Sequence, residues 1–191
     1  TVKWDGPPAV FAGEDPSDGK FFVAKKGIFA KTPKVYKSHA DIDADTSGDL
    51  SKKLKLAFDH LKDLGIKDVI QGDFMFDASD LKKETINGVK HITFHPNTIL
   101  YAVPTNTRLA KEIQRAKVGI IWHTSYSGKS FENMKAEFGR DIVGKLKRSK
   151  DVWMDDATLK DVSGTATLTA SETAMLNHNL SNAGKTFQKV A

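Results

Sequence analysis

Two stretches of turn-forming residues, each set between short apolar runs, constrain this chain most. Glu14-Asp15-Pro16-Ser17-Asp18-Gly19 separates the runs 9–12 and 20–24, and Asn87-Gly88 stands between the runs 68–76 and 89–94. Pro, Gly, Asx and Ser supply the backbone angles and the local hydrogen bonds that reverse a chain. Short apolar runs flanking such signals read as β-hairpins, the first with a long loop. A chain punctuated in this way cannot be all-helical. A further short run, 2–4, precedes the first hairpin, broken from it by Asp5, Gly6, Pro7 and Pro8.

Between the hairpins lies one clear amphipathic helix. Leu50, Leu54, Ala57, Phe58, Leu61 and Leu64 recur at helical spacing and form one apolar face. Ser47 or Asp49 can cap its start, and Gly65 can end it. Residues 98–103, closed by Pro104, and 118–124 read as strands. Residues 107–116 read as a short helix and 131–138 as a helical turn or two. Residues 30–48 are polar and irregular, and beyond 139 the pattern weakens. The segment 158–173 is rich in Thr, Ser and Ala, and little apolar content follows it, which predicts a loose or partner-dependent end. The expected division is a domain over 1–150 and a weakly structured segment over 151–191. Strands before and after a helix, joined by hairpins, predict an α+β domain with mostly antiparallel sheets and flanking helices.

Composition narrows the function classes. With no cysteine, disulfides, thiolate metal sites and cysteine nucleophiles are excluded. No run of 18 apolar residues exists, so no membrane-spanning helix is expected, and the start lacks a basic-then-apolar leader pattern. A cytoplasmic location is the matching expectation. The net charge of +5 and the pI near 9.2 permit polyanion binding. Of 29 Lys and Arg residues only Arg108, Arg115, Arg140 and Arg148 are arginines. Such a surface meets phosphates mainly as lysine point charges, and composition alone favours a solvated lysine-rich surface. The run Lys145, Lys147, Arg148, Lys150 likewise reads first as a solvated helix end.

The segment Lys3-Trp4-Asp5-Gly6 carries chemistry. A neutral lysine amine can attack the α-phosphorus of a nucleotide and form a covalent phosphoramidate. Nearby cations or burial must lower the lysine pKa for this. Asp5 can hold the amine in line, and Gly6 lets the chain turn away. Two further segments fall in order: Val23-Ala24-Lys25-Lys26-Gly27 after the first hairpin, and Val69-Ile70-Gln71-Gly72-Asp73-Phe74 after the helix.

Together these segments resemble the motifs of the covalent nucleotidyltransferase superfamily, the ATP-dependent DNA ligases, RNA ligases and mRNA-capping enzymes. The resemblance covers about residues 1–104. Lys3, Asp5 and Gly6 match the Lys-x-Asp-Gly motif. Lys26-Gly27 sits where the family has a basic residue and glycine after a hairpin. Gly72-Asp73 sits where it has Gly-Glu on a strand, and Tyr101 where an aromatic stacks on the base. Within this group, 3–13, 71–74 and 96–104 look like uncharacterised ligase-like proteins of large tailed phages. The resemblance implies two antiparallel sheets with a nucleotide cleft between them, ATP and Mg²⁺ as cofactors, and nucleic acid as the acceptor. It implies Lys3 as nucleophile, Asp5 as its partner, Lys26 on phosphate or ribose, and Asp73 on ribose or metal. It also implies host cytoplasm for a viral protein, and a chain that is a piece of a longer one. Asp73 is one methylene shorter than the family's usual glutamate, and three further segments depart from the pattern. Val118-Gly119-Ile120-Ile121 answers the family's Glu-Gly strand with valine in place of the carboxylate. Lys145-Leu146-Lys147 answers its last Lys-x-Lys motif only loosely. Pro7-Pro8 replaces an arginine. The alternative reading is a catalytically silent module of the same fold that binds nucleic acid or a phage protein.

Other signals are weaker. Residues 43–54 approach an EF-hand calcium loop, but its last ligand position is Leu54 and no entering helix is evident. Thr1 could be an N-terminal nucleophile, with nothing else organising that site. His91 and His95 lack a third ligand for zinc. His123 reads as a partly buried strand residue. Phe21, Phe22, Phe74, Phe76 and Phe94 read as core.

Overall fold

A computed structural model describes residues 8–138, 141–157, 171, 173–175 and 177–179. Two compact units are present, Thr1–Thr158 and Leu159–Ala191. In the second, the described residues are helical. Lys3, Asp5, Gly6 and the expected strand at 2–4 lie outside the described residues, as do Arg140 and most of the 158–173 segment and the tail.

The first unit has the expected α+β character. Its central sheet has the order β2-β1-β3-β7-β8, with β9 also pairing β7. The strands are β1 Ala9–Glu14, β2 Phe21–Ala24, β3 Val69–Asp77, β7 Val118–Ser127, β8 Lys135–Phe138 and β9 Val152–Asp156. A second, antiparallel sheet holds β4 Lys82–Ile86, β5 Val89–Phe94 and β6 Tyr101–Pro104. Both turn signals form hairpins. Asp15 accepts hydrogen bonds from the Ser17 amide and hydroxyl inside the first. Asn87 and Gly88 take the positive φ values (51° and 78°) that a two-residue hairpin loop needs.

Helices α1 (His39–Asp45) and α2 (Gly48–Leu61) cover one face of the central sheet. The large cluster beneath them includes Val10, Ala12, Ile70, Phe74, Ile120 and Trp122 from alternate strand positions, met by Ile42, Leu54, Ala57 and Leu61. Gly72 lies in this face because Trp122 crosses it: a Cβ there would stand 2.5 Å from the Ile121 carbonyl oxygen and 2.8 Å from Trp122 Cε3. The opposite face carries Phe11, Phe22, Ala24 and Val69 with Ile28. A third cluster joins the two sheets: Met75 and Phe76 of β3, Ile92 and Phe94 of β5, and Ala110 and Ile113 of α3 (Arg108–Arg115).

Several expectations need correction. The segment 30–48 contains α1, capped by the Ser38 hydroxyl, which accepts from the Asp41 amide. Leu50 is exposed; Ser51 takes the inward position instead and donates a hydrogen bond to Asp43. Residues 131–138 form one 3-10 turn, Phe131–Asn133, and then strand β8. Residues 152–156, expected in a weakly structured segment, are β9, running parallel to β7 in the central sheet. The calcium-loop reading also fails. Asp43 and Asp45 belong to α1, and their carboxylates are held by lysines, Asp43 by Lys55 and Asp45 by Lys34 and Lys25. Among the described residues no three His, Asp or Glu side chains gather as a metal site, and no helix is long and apolar enough to cross a membrane.

Candidate functional site

The face of the central sheet away from α1 and α2 carries Asp73, one of the sequence-expected residues. In the ladder, Ala9, Asp73 and Ile121 stand side by side across β1, β3 and β7. Partners in an antiparallel ladder point to the same face, so Asp73 projects between the small Ala9 and the apolar Ile121. The neighbouring row is Phe11, Gln71 and Thr124. The Pro8 carbonyl accepts from the Phe74 amide at 3.1 Å, so the chain enters β1 beside Asp73.

β7 carries one extra residue at this point. Gln71 pairs with Thr124 but Gly72 pairs with Trp122, which leaves His123 as the added residue of a β-bulge. Two residues after Ile121, it keeps to the face of Asp73, and its ring Nε2 stands 3.9 Å from Asp73 Oδ1. On the other side of the ring, Nδ1 is hydrogen-bonded to the fully buried Thr124 hydroxyl at 2.7 Å. That contact fixes the imidazole's direction. The bulge brings Thr124 to the same face as His123, and a bulge is invisible in sequence.

Electrostatics tie Lys26 and Tyr101 to the same carboxylate. Burial pushes the Asp73 carboxyl above its usual range, against the pull of the His123 and Lys26 charges. Burial, and then the Asp73 charge, push the Tyr101 hydroxyl up. Lys26 lies in the turn after β2, and Gly27 follows it at φ 116°, a backbone region that favours glycine. Lys25 goes the other way, to Asp45. The Tyr101 ring lies parallel to Phe94, with centroids 5.3 Å apart and planes 4° apart.

A second aromatic surface adjoins the Gln71 row. Phe11, Phe29 and Tyr126 form a three-ring cluster, with Phe29 and Tyr126 only 4.6 Å apart. The Tyr126 hydroxyl donates to Gln71 Oε1 at 2.7 Å. Phe29 is 43% exposed, so a flat apolar surface faces solvent near a carboxylate, a cation and an imidazole. Half-buried carboxylates with shifted affinity for protons, beside flat rings, mark sites that bind polar ligands. The set can accept hydrogen bonds at Asp73, pair an anion at Lys26 and stack a planar ring.

Two expected family positions are not supplied here. Val118 is fully buried and pairs with Asp77 on one side and Val152 on the other. Asp77, the carboxylate next to it, faces α2 instead, paired with Lys52 at 2.9 Å and Lys53 at 3.8 Å. Lys145 ends a 3-10 turn, and the Lys147 amide donates to the Leu64 carbonyl, so this Lys-x-Lys is not on a strand.

The model of a protein family described as a family of unknown function (DUF6267) matches residues 1–191. No curated protein matches the chain, and no solved structure does.

Proposed function

We propose that this chain, which belongs to the DUF6267 family, binds a nucleotide on the open face of its central sheet and performs ligase-type nucleotidyl transfer through Lys3. One observation supports the reading: Asp73 lies on the open sheet face beside Ile121, Tyr101 packs on the same cluster as Ile121, and the Lys26 charge acts on the Asp73 carboxyl. Lys3 lies five residues before Pro8, so at most about 18 Å of extended chain separates it from the strand entry beside Asp73.

In this reading the neutral Lys3 amine attacks the α-phosphorus of ATP. A P–N bond forms, the bond to the β-phosphate oxygen breaks, pyrophosphate leaves and the amine gives up a proton. A nucleic-acid 5′-phosphate then attacks the same phosphorus, the P–N bond breaks and Lys3 regains its proton. Lys26 holds phosphate or ribose, Tyr101 lies against the base, and Asp5 and Gly6 orient the lysine. Asp73 accepts from ribose or ligates Mg²⁺, which is commonly held by one or two carboxylates plus substrate phosphates and would offset phosphate charge. The donor set fits that use, since Asp73 is half-buried with no lysine committed to it within ion-pair distance among the described residues.

Intact-mass measurement after incubation with ATP and Mg²⁺ tests this. The expected result is a gain of one AMP that is lost in Lys3→Ala. No adduct with either ATP or GTP sinks the transfer chemistry. The buried Val118, standing where the family has a metal-binding carboxylate, favours one second reading: a silent relative that binds nucleotide or nucleic acid without transfer. Nucleotide binding with no adduct is its signature.

A further inference from the structure

Arginine is scarce in this chain, yet three of its four arginines line one groove. The groove runs between α3 and β9 and encloses about 760 Å³. Arg108, Arg115, Arg148 and Lys150 line it, with Glu112 as the one carboxylate and Trp153 on its floor. We propose that this groove binds the phosphate backbone of single-stranded nucleic acid, with the arginines on phosphates and Trp153 against a base.

Three observations carry the proposal. First, among the described residues three of the four cations here carry no ion pair. Lysines 25, 34, 37, 52, 53, 55 and 67 sit within ion-pair distance of carboxylates, whereas scattered lysines such as Lys20, Lys31 and Lys62 do not, so it is the clustering of free cations in one groove that counts. Among the described residues Arg115, Arg148 and Lys150 have no such partner, and only Arg108 is paired, to Glu112 at 2.8 Å. Second, the charges are strung out. Arg108 and Arg115 are seven residues apart on α3, about 10 Å along its axis, and Arg148 and Lys150 face them from the approach to β9. A row of this kind matches repeated phosphates better than one small anion, and guanidinium forks suit phosphate oxygens. Third, the floor is aromatic. Trp153 is only partly buried, and its ring is backed by Phe76 at 6.0 Å and 26°. A supported indole is a stacking platform for a base of any identity. The basic run at 145–150, which reads in sequence as a solvated helix end, thus contributes to a groove whose other wall comes from α3.

The test uses the full chain and a fluorescent oligothymidylate of about 16 nucleotides, with anisotropy followed over a salt series. Arg115→Ala/Arg148→Ala should weaken binding at least about tenfold and flatten the log–log salt slope by about 1.4, the release from two single-strand phosphate contacts. Lys34→Ala/Lys67→Ala removes as much charge from ion-paired lysines outside the groove and should leave both quantities near the parent values. Equal loss in the two double variants overturns the proposal, as does no loss in the arginine variant. Equal competition by inorganic polyphosphate also overturns it, by reducing the groove to a generic polyanion contact. Lys3→Ala should bind the oligonucleotide normally, so this proposal and the transfer chemistry fail separately.

Discussion

Gly119→Ala should destabilise the fold although it adds one methyl group to a β-strand. A Cβ at position 119 would stand 2.1 Å from Phe76 Cε1 and 2.5 Å from Cδ1 and Cζ. The ring cannot swing clear cheaply. Phe76 is fully buried, with Phe94 4.9 Å away and Trp153 6.0 Å away. Overpacking of this kind costs about 1–3 kcal/mol. At about 2 kcal/mol, a chain of this size loses roughly 4–8 °C in Tm. Thermal unfolding followed by circular dichroism measures the loss. The second arm is Gly119→Ala in a Phe76→Leu background, where the smaller side chain removes the overlap. The two costs should then be strongly non-additive. A Gly119→Ala melt within about 1 °C of the parent, or simple additivity with Phe76→Leu, refutes the packing argument. The result also bears on the resemblance, because this glycine belongs to the segment that answers the family's Glu-Gly strand. Here the Phe76 ring is reason enough for it.

Asp73→Asn should weaken nucleotide binding at least about tenfold by titration calorimetry while leaving the fold no less stable at neutral pH, since burying a carboxylate is unfavourable. The sign follows from its raised pKa. The stability linked to Asp73 is fully present below the unfolded value and is lost as pH rises through the folded one, so the variant should gain most above that point. Lys37→Met should cost about 2–3 kcal/mol in urea unfolding, because Asp15 is buried and paired to it at 2.8 Å. Burial pushes Asp15 up, but the hydrogen bonds from Lys37 and Ser17, together with the Lys37 charge, hold it below its usual range. That stability is therefore present above the ordinary carboxylate pKa and lost as pH falls through the lowered one, and the acid limb should flatten in the variant. Calcium should leave Tm unchanged, because Asp43 and Asp45 are held by Lys55, Lys34 and Lys25; a calcium-dependent rise would contradict that reading.

What could be read in the sequence depended on how many residues reported each element. α2 was readable because Leu54, Ala57 and Leu61 are its buried stripe. α1 was not, since its sole buried residue is Ile42, and one apolar position has no period. β8 is short and mostly exposed, so it shows no alternation. β9 alternates at Val152 and Met154, but its reason to exist is a parallel partner far back in the chain. The same contrast holds at the site. Lys26, Asp73 and Tyr101 could be picked out by motif, each from its own segment. His123 could not, because it belongs to no motif; its place beside Asp73 follows from standing two residues after Ile121, on the same face of β7.

The divided edge of β7 has a consequence for how the sheet is made. β8 pairs antiparallel with residues 124–127, and β9 pairs parallel with residues 118–122 on the same side. During synthesis β7 is complete some thirty residues before β9 emerges. In that interval the half-strand holding Val118, Ile120 and Trp122 has open amides and carbonyls on one edge. Parallel pairing across a long connection is slow to form. This edge is therefore the point where nascent or shortened chains can stick to one another. A chain cut after residue 150 keeps that edge open, whereas one cut after 157 closes it. The five-residue strand β9, rather than the point where apolar patterning fades, therefore decides whether that edge is closed.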